Sequence, residues 1–414
     1  MSKIRRNAAC LGTLALLLAG CGAGGTKAAN DQAITVGGLF PTTGDVAAAG
    51  TNAQHGVELA IDACNGKVPG ISIPSRPGKE IKLITADTQG NPEVGAQAVD
   101  RLVRNDGAVA IIGAYQSTVT LTASARAERL QIPFLNGASG AGNLSDRGLK
   151  WWFRTGPTSS AMADIYFAFL KSLQASHPVK NVAIIHMNDT YGNDAEAQWK
   201  RVAEASGVNV VSTVSFEPNA TDLTSQVQAV RAKNPDAVFT TMFIRDTDLF
   251  LKTMDQLNYR PPALLAVGGG WDDPGFVKIA AGRGNGNIRA IPWSTQVTQR
   301  NATAAKVVDA FKKKYGDDMN GDSSRTYTAG VILCQALGRA TSTKAEDIRT
   351  ALKETDVTET IMPWAGVKFD ERGQNTKAGY LIQQMTAAGT WEVIFPENLK
   401  TADVNWPMPK PGTS

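Results

Sequence analysis

Short apolar, β-branched runs alternate along this chain with stretches whose apolar residues recur every three or four positions. Ile34 to Phe40 predicts a strand ending at the turn Pro41-Thr42-Thr43-Gly44. From about Thr51 to Cys64, Val57, Ala60, Ile61 and Cys64 fall on one helical face. Ile81 to Ile84 is a second strand. Asn91-Pro92-Glu93 then opens a helix with a capping side chain, a proline suited to the first turn and an acid at the positive end of the dipole. Val109 to Ile112 predicts a third strand, Ser117 starts a helix running to about Leu130, and Phe134-Leu135 is a fourth strand.

The rhythm restarts after Arg154. Helices are expected over about Ser159–Leu173, Asp194–Ala205, Leu223–Ala232 and Asp246–Leu257. Strands Val182–Ile185, Val210–Val214, Val238–Thr240 and Leu264–Val267 separate and follow them. Strands alternating with helices imply parallel sheets covered on both faces, here as two similar Rossmann-like α/β lobes. The last third differs: a strand at Ile288–Ile291, helices at Ala304–Tyr315 and Tyr327–Ala340, then short strands at Val367–Phe369, Tyr380–Gln384 and Trp391–Phe395. A chain that has built two lobes and still holds two helices is expected to return to the first, which makes several hinge crossings. The expected boundaries are lobe 1 at 33–154, lobe 2 at 155–287, a return to lobe 1 over 288–372, terminal strands of lobe 2 at 373–400 and a disordered tail at 401–414.

The two ends and the charge set the compartment. Lys3, Arg5 and Arg6 precede an apolar run from Ala8 to Ala19 that is too short for a membrane span of roughly 20 residues, and the combination predicts a signal peptide over residues 1–20. Leu18-Ala19-Gly20-Cys21 resembles the lipobox of bacterial lipoproteins, which implies that Cys21 becomes the lipidated first residue, holding the protein to the outer face of the cell membrane. Residues 21–32 read as a flexible tether. Taking Lys3, Arg5 and Arg6 from 42 basic residues, against 38 acidic ones, leaves a net charge of +1 and no basic footprint for nucleic acid. Cys64 and Cys334 remain, either paired as a disulfide in an oxidising compartment or buried separately as small apolar side chains.

Ligands of open parallel sheets bind beyond the carboxyl ends of the strands. Four loops there are rich in glycine, hydroxyls and amides: Phe40 to Gly44 with Thr42, Thr88-Gln89-Gly90, Gly113 to Thr118, and Asn136 to Gly140. None contains a cation. A helix N-terminus with free N–H groups beside a hydroxyl, as at Ser117-Thr118, holds a carboxylate without one.

The order and spacing of Phe40-Pro41-Thr42-Thr43-Gly44, Gly113 to Thr118, Leu144 to Gly148, Phe153-Arg154-Thr155, Tyr191-Gly192 and Tyr327-Thr328-Ala329 resemble the leucine/isoleucine/valine-binding protein family. These are type I periplasmic binding proteins that feed branched-chain amino acid ABC transporters, and the resemblance spans roughly Ile34 to Phe395. It implies two lobes joined by a three-strand hinge, closure around a small-molecule ligand, permease subunits as partners, and a monomer. By position Ser117 resembles the hydroxyl that receives the ligand carboxylate, Ala138, Ser139 and Gly140 the loop completing that pocket, and Tyr191 the aromatic from the second lobe. With them, Tyr115, Gln116, Thr118, Phe40 and Gln89 complete the first-lobe candidates.

Two positions depart from that pattern. Where an acid is expected to hold the ligand ammonium, this chain has Gly268-Gly269-Gly270-Trp271-Asp272-Asp273, so that Gly270 occupies the place and Asp272 or Asp246 would have to substitute, or the ligand has no ammonium. Phe243 stands for a second-lobe aromatic and is followed by Arg245, which either pairs with Asp246 or meets a ligand acid. Trp271 either stacks on the ligand or packs in the lobe.

Enzymatic signatures are incomplete. Gly137 to Ala141 lacks the final glycine of a nucleophile elbow, and no phosphate loop or dinucleotide fingerprint occurs. His55, His177 and His186 are too far apart for metal spacing. The expectation is a non-enzymatic binding protein without cofactor or metal, with a sensor lobe pair feeding a signalling partner as the alternative.

Overall fold

Parallel strands buried on both faces read as continuous apolar runs, and Ile34 to Phe40 is such a run: all but one of its seven residues are buried. The computed structural model describes residues 33–280, 282–298 and 301–409. The expected signal peptide, tether and Cys21, and the tail beyond residue 409, lie outside these.

The first lobe contains β1 (Ile34–Phe40), α1 (Ala47–Cys64), β2 (Ile81–Asp87), α2 (Pro92–Arg104), β3 (Ala110–Gly113), α3 (Ser117–Leu130), β4 (Phe134–Asn136) and β5 (Trp152–Arg154). Its five strands run parallel in the order β2-β1-β3-β4-β5. Asn91 caps α2 by accepting from the N–H groups of Glu93 and Val94 at 2.9 and 3.1 Å. One face of the sheet packs on α2 and α3 through Leu39, Val99, Ile111, Val119 and Phe134. The other packs on α1 and on helices supplied much later in the chain.

The second lobe follows with α4 (Ser159–Ser172), β6 (Asn181–Met187), α5 (Thr190–Ala205), β7 (Asn209–Phe216), α6 (Thr224–Arg231), β8 (Ala237–Thr241), α7 (Ile244–Gln256), β9 (Leu264–Val267), the short α8 (Gly269–Asp272) and α9 (Phe276–Ile279), and β10 (Ile288–Ile291). The return comprises α10 (Thr295–Thr298), α11 (Ala302–Tyr315), α12 (Gly321–Arg339), α13 (Ala345–Lys353), and the small pair β11 (Asp356–Val357) and β12 (Val367–Lys368); β13 (Leu381–Met385) and β14 (Trp391–Phe395) end the second sheet. That sheet runs β14-β13-β10-β9-β8-β6-β7, with β13 antiparallel to both β10 and β14. Its two faces bury separate clusters, one around Tyr166, Trp199 and Phe239, the other around Phe250, Trp271 and Phe276.

Three differences from the sequence-based expectations have physical reasons. β10 pairs with β9 and β13 in the second sheet, so the chain turns back after Ile291 and not at 288. Helix α12 begins at Gly321, six residues before Tyr327, because Asn320 and Ser323 form a reciprocal capping box. The end of the chain is packed rather than free up to residue 409: Met408 is buried and its N–H donates to Pro262 O at 2.7 Å, while Trp406 stacks on His177.

Cys64 at the end of α1 and Cys334 in α12 are joined by a disulfide, with Cα atoms 6.3 Å apart. The chain crosses between lobes three times: after Arg154, after Ile291 and before Tyr380. The first and third crossings are zipped together, since Asn375 Nδ2 donates to Thr155 O at 2.9 Å and Gln374 Nε2 to Gly156 O at 3.0 Å. Arg154 lies fully buried at this junction. Its Nε donates to Gln374 Oε1 at 2.6 Å and its guanidinium to the carbonyls of Ser139 and Ala141. Burial lowers its pKa to about 10, which leaves it charged at neutral pH.

Candidate functional site

The tips of both sheets face one cavity of about 70 Å³ (the space open to the centre of a water-sized sphere), lined from both lobes. Since a water needs roughly 10–15 Å³ of such space, the cavity holds only a few small groups as the lobes stand.

The first lobe supplies the turn between β3 and α3 and the loop after β4. Asn136 ties them together: its Nδ2 donates to Gly113 O and Ala114 O at 2.8 and 2.9 Å, and its Oδ1 accepts from Ser139 N at 3.0 Å. Ser139 Oγ bonds Ala114 O and Tyr115 O and also meets the Thr120 hydroxyl. Ser139 therefore shapes the loop and does not line the cavity. Tyr115, Gln116, Ser117, Ala138 and Gly140 do line it. Ser117 opens α3, and its Oγ accepts from Ala141 N at 3.3 Å; Thr118 lies in the same turn but outside the lining.

Across the gap stand Tyr191, Phe243 and Asp272 of the second lobe, with Val267, Gly268, Gly269 and Ala290. Tyr191 sits in the first turn of α5, where Asp189 caps the helix by accepting from Gly192 N at 2.6 Å. The lobes approach so closely that a Cβ on Gly140 would fall 2.6 Å from the Tyr191 ring. Tyr115 and Phe243 face each other with ring centroids 6.5 Å apart.

Helix α12 brings the charge. Asp322 in its first turn and Arg325 at the start of its second both line the cavity, and Arg325 Nη2 donates to Asp322 Oδ1. Arg325 also donates to Ala138 O at 2.7 Å and Gly321 O at 2.9 Å. Burial pushes the Asp322 carboxyl up to about 7, with Arg325 opposing the shift. Burial likewise raises Asp272, opposed by Arg289 and Arg325. For Arg325 burial opposes the charge, but Asp322, Tyr380 and Asp272 outweigh it and the pKa rises. Sequence reading missed Asp322, Arg325, Pro292 and Tyr380; the Asn320-to-Ser323 cap was the available signal for the first two.

Other expected site residues lie elsewhere. Phe40 is a core residue. Thr42 and Gln89 donate their N–H groups to Asp87 Oδ1 at 3.0 and 2.8 Å, which folds the first two loops onto each other and away from the cavity lining. Gly270 packs against Phe243 and Thr247 inside its lobe. Trp271 is 1 % exposed and packs on Phe276 with centroids 5.2 Å apart, so packing, and not stacking in the cleft, is what the structure gives it. Asp246 is buried in the second lobe off the cavity, its carboxyl raised to about 6 by burial. Arg245 does not pair with Asp246; it reaches Asp45 on the first lobe at 3.9 Å. Among the described residues no cluster of three or more metal-ligating side chains occurs and no helix is long and apolar enough to cross a membrane.

Comparison with known proteins agrees with this geometry. The periplasmic binding protein family matches residues 33–390. Leu/Ile/Val-binding protein homolog 8 of Brucella abortus is 28 % identical over 385 residues, covering 90 % of this chain and 93 % of the relative. Leu/Ile/Val-binding protein homolog 7 of Brucella suis is 26 % identical, covering 95 % and 99 %. Among solved structures, the branched-chain amino acid transporter substrate binding protein LivJ from Streptococcus pneumoniae, in complex with isoleucine, superposes with a TM-score of 0.75 at 21 % identity over 91 % of this chain and 100 % of that one. A solute binding protein of an ABC transporter from Rhodopseudomonas palustris, in complex with 3,4-dihydroxybenzoic acid, superposes at 0.74 and 20 % identity over 92 % and 99 %. Two Rossmann-like lobes, three crossings and a cavity between the strand tips, with a family match over most of the length, lead to one assignment: the chain belongs to the periplasmic binding protein family.

Proposed function

We propose that this protein is the solute-binding component of an ABC importer, capturing a small polar ligand (an amino acid or a related amide or carboxylate) by closure of its lobes and delivering it to permease subunits. The observation that supports this most is a cavity between the strand tips lined by both lobes, with the free N-terminus of α3 at Ser117 on one side and Tyr191 and Phe243 on the other. A closing cleft favours its closed form only through contacts made there alone, and micromolar capture needs about −8 kcal/mol. A few desolvated hydrogen bonds of about 1.5–3 kcal/mol each to a charged ligand group, with aromatic cover, reach that scale.

The names of the Leu/Ile/Val-binding relatives support an amino acid, while the neighbour holding 3,4-dihydroxybenzoic acid supports keeping carboxylates in the test. An extracytoplasmic location is what family membership implies, and the Leu18-Ala19-Gly20-Cys21 motif supports attachment through a lipid on Cys21. We read the protein as a monomer that binds and releases its ligand unchanged. Thermal-shift and fluorescence titrations against amino acids, their amides and aromatic acids test the reading. Binding of at least one, with compaction in solution scattering, is expected; purified protein that binds none and never compacts refutes it.

A further inference from the structure

Resting on that reading, we propose that Asp322 is the counter-charge of the cleft, its free Oδ2 accepting from a positively charged nitrogen on the ligand, which makes the preferred solute an amine-bearing molecule such as an amino acid rather than a purely anionic acid.

Three charged side chains line the cavity: Asp272, Asp322 and Arg325. The cation is already committed. Arg325 donates to Ala138 O, to Gly321 O and to Asp322 Oδ1, so it offers a ligand carboxylate little. Asp272 is paired with Arg289 at 3.8 Å, which leaves Asp322 as the acid of the lining with an unspent oxygen. Asp322 is 1 % exposed, and its Oδ2 is buried without any hydrogen-bond partner. A buried acceptor left unpaired costs about 1–3 kcal/mol, and a donor on the ligand would relieve it. Gln116 Oε1, lining the same cavity, is a second buried acceptor without a partner, because Gln116 stands at the cap of α3 but its side chain makes no cap bond. Two orphaned acceptors, one of them a carboxylate oxygen, fit a ligand group that carries several N–H donors and a positive charge. The carboxylate end of such a ligand is served by the N-terminus of α3 at Ser117, which lies on the same wall.

Asp322 faces Arg325 on its own helix, and Asp272 and Asp273 from the second lobe. Burial and the two neighbouring acids raise it against the pull of Arg325, so near neutral pH the empty cleft holds part of its Asp322 as the neutral acid. A cationic ligand favours the ionised form, and binding then expels a proton.

The test compares L-alanine, L-valine and L-leucine with the hydroxy acids in which hydroxyl replaces the amino group, and with 3,4-dihydroxybenzoate, by calorimetry on the purified chain. At least one amino acid is expected to bind tenfold or more tighter than its hydroxy twin, with Asp322→Asn erasing most of that preference. A measurement needing no variant accompanies it: binding of that amino acid should release close to one proton at about pH 6 and almost none at about pH 8.5. Hydroxy acids bound as tightly as their amino twins, exclusive binding of 3,4-dihydroxybenzoate, or a folded Asp322→Asn with unchanged preference each overturn the assignment of Asp322 while leaving solute capture standing. If nothing in the panel binds the wild-type chain, the capture reading falls and takes this one with it.

Discussion

Asp194 of the second lobe accepts the Gly142 N–H of the first through Oδ2 at 2.7 Å, and the Ser159 hydroxyl donates to the same oxygen. Its Oδ1 lies 3.3 Å from Asn143 N. The bonds to Gly142 and Asn143 join the start of a 3₁₀ turn in one lobe to α5 in the other, so they exist only while the lobes are together; the bond to Ser159 stays within the second lobe. Asp194→Ala removes hydrogen bonds of about 1.5–3 kcal/mol from the closed form and is expected to weaken ligand affinity tenfold or more. Calorimetry with the tightest panel ligand measures this; an unchanged Kd would show that the contact does not favour closure.

Gly321 gives a sharper test because fold and closure move in opposite directions. A Cβ there would run into the Asp272 carboxylate across the cleft. Alanine is a better helix former than glycine by about 1 kcal/mol, and Gly321 is the first residue of α12. Gly321→Ala should therefore keep or raise the melting temperature while lowering affinity and leaving the particle more extended in scattering. A variant that closes and binds as the parent does would contradict the fit described here.

Asp246 sets a pH dependence of stability. Burial raises its folded-state pKa to about 6, against offsetting N–H groups from Asn219 and Ala220. An acid whose pKa is raised by folding binds its proton more tightly in the folded state, so stability is greatest below the unfolded value near 4 and declines as pH rises to about 6. Over about two pH units that loss amounts to about 2–3 kcal/mol. Asp246→Asn retains an acceptor oxygen without the charge. It should melt higher than wild type at about pH 7.5 and equally at about pH 4; the same difference at both values would point to packing instead.

The Cys64–Cys334 bond closes a loop with a sequence separation of 270. Cross-links over loops this long stabilise by about 5 kcal/mol in the chain-entropy account, with a range of roughly 0–5 observed. Reductant, or the Cys64→Ala/Cys334→Ala pair, should lower the melting temperature markedly while the cavity, which neither residue lines, still binds. No change in melting would mean that α1 and α12 are held by packing alone.

Much of the fold is legible because parallel strands buried on both faces leave unbroken apolar runs, as at Ile34–Phe40 and Leu264–Val267, and their helices carry caps such as Asn91. The short β5 escapes because three residues give no period. The start of α12 is hard to place because its apolar period begins only near Tyr327; the cap formed by Asn320 and Ser323 marks the true start six residues earlier. That one misplacement hid Asp322 and Arg325. Conversely, the loops holding Thr42 and Gln89 have the composition of a site, but Asp87 gathers their N–H groups to itself. Composition shows which loops can bind; it does not show which have already spent their donors on a neighbour.

Arg154 links two parts of the molecule that are usually considered apart. One edge of its guanidinium holds Gln374 at the pivot and another holds the carbonyls of Ser139 and Ala141 behind the pocket wall. Wall and pivot thus share a single planar fork, and neither can be retuned by mutation without disturbing its counterpart. Substitutions aimed at new solutes are therefore best placed at lining side chains that make no contact with that fork, Tyr191, Phe243 and Asp322 among them, where the lining changes and the pivot contacts stay.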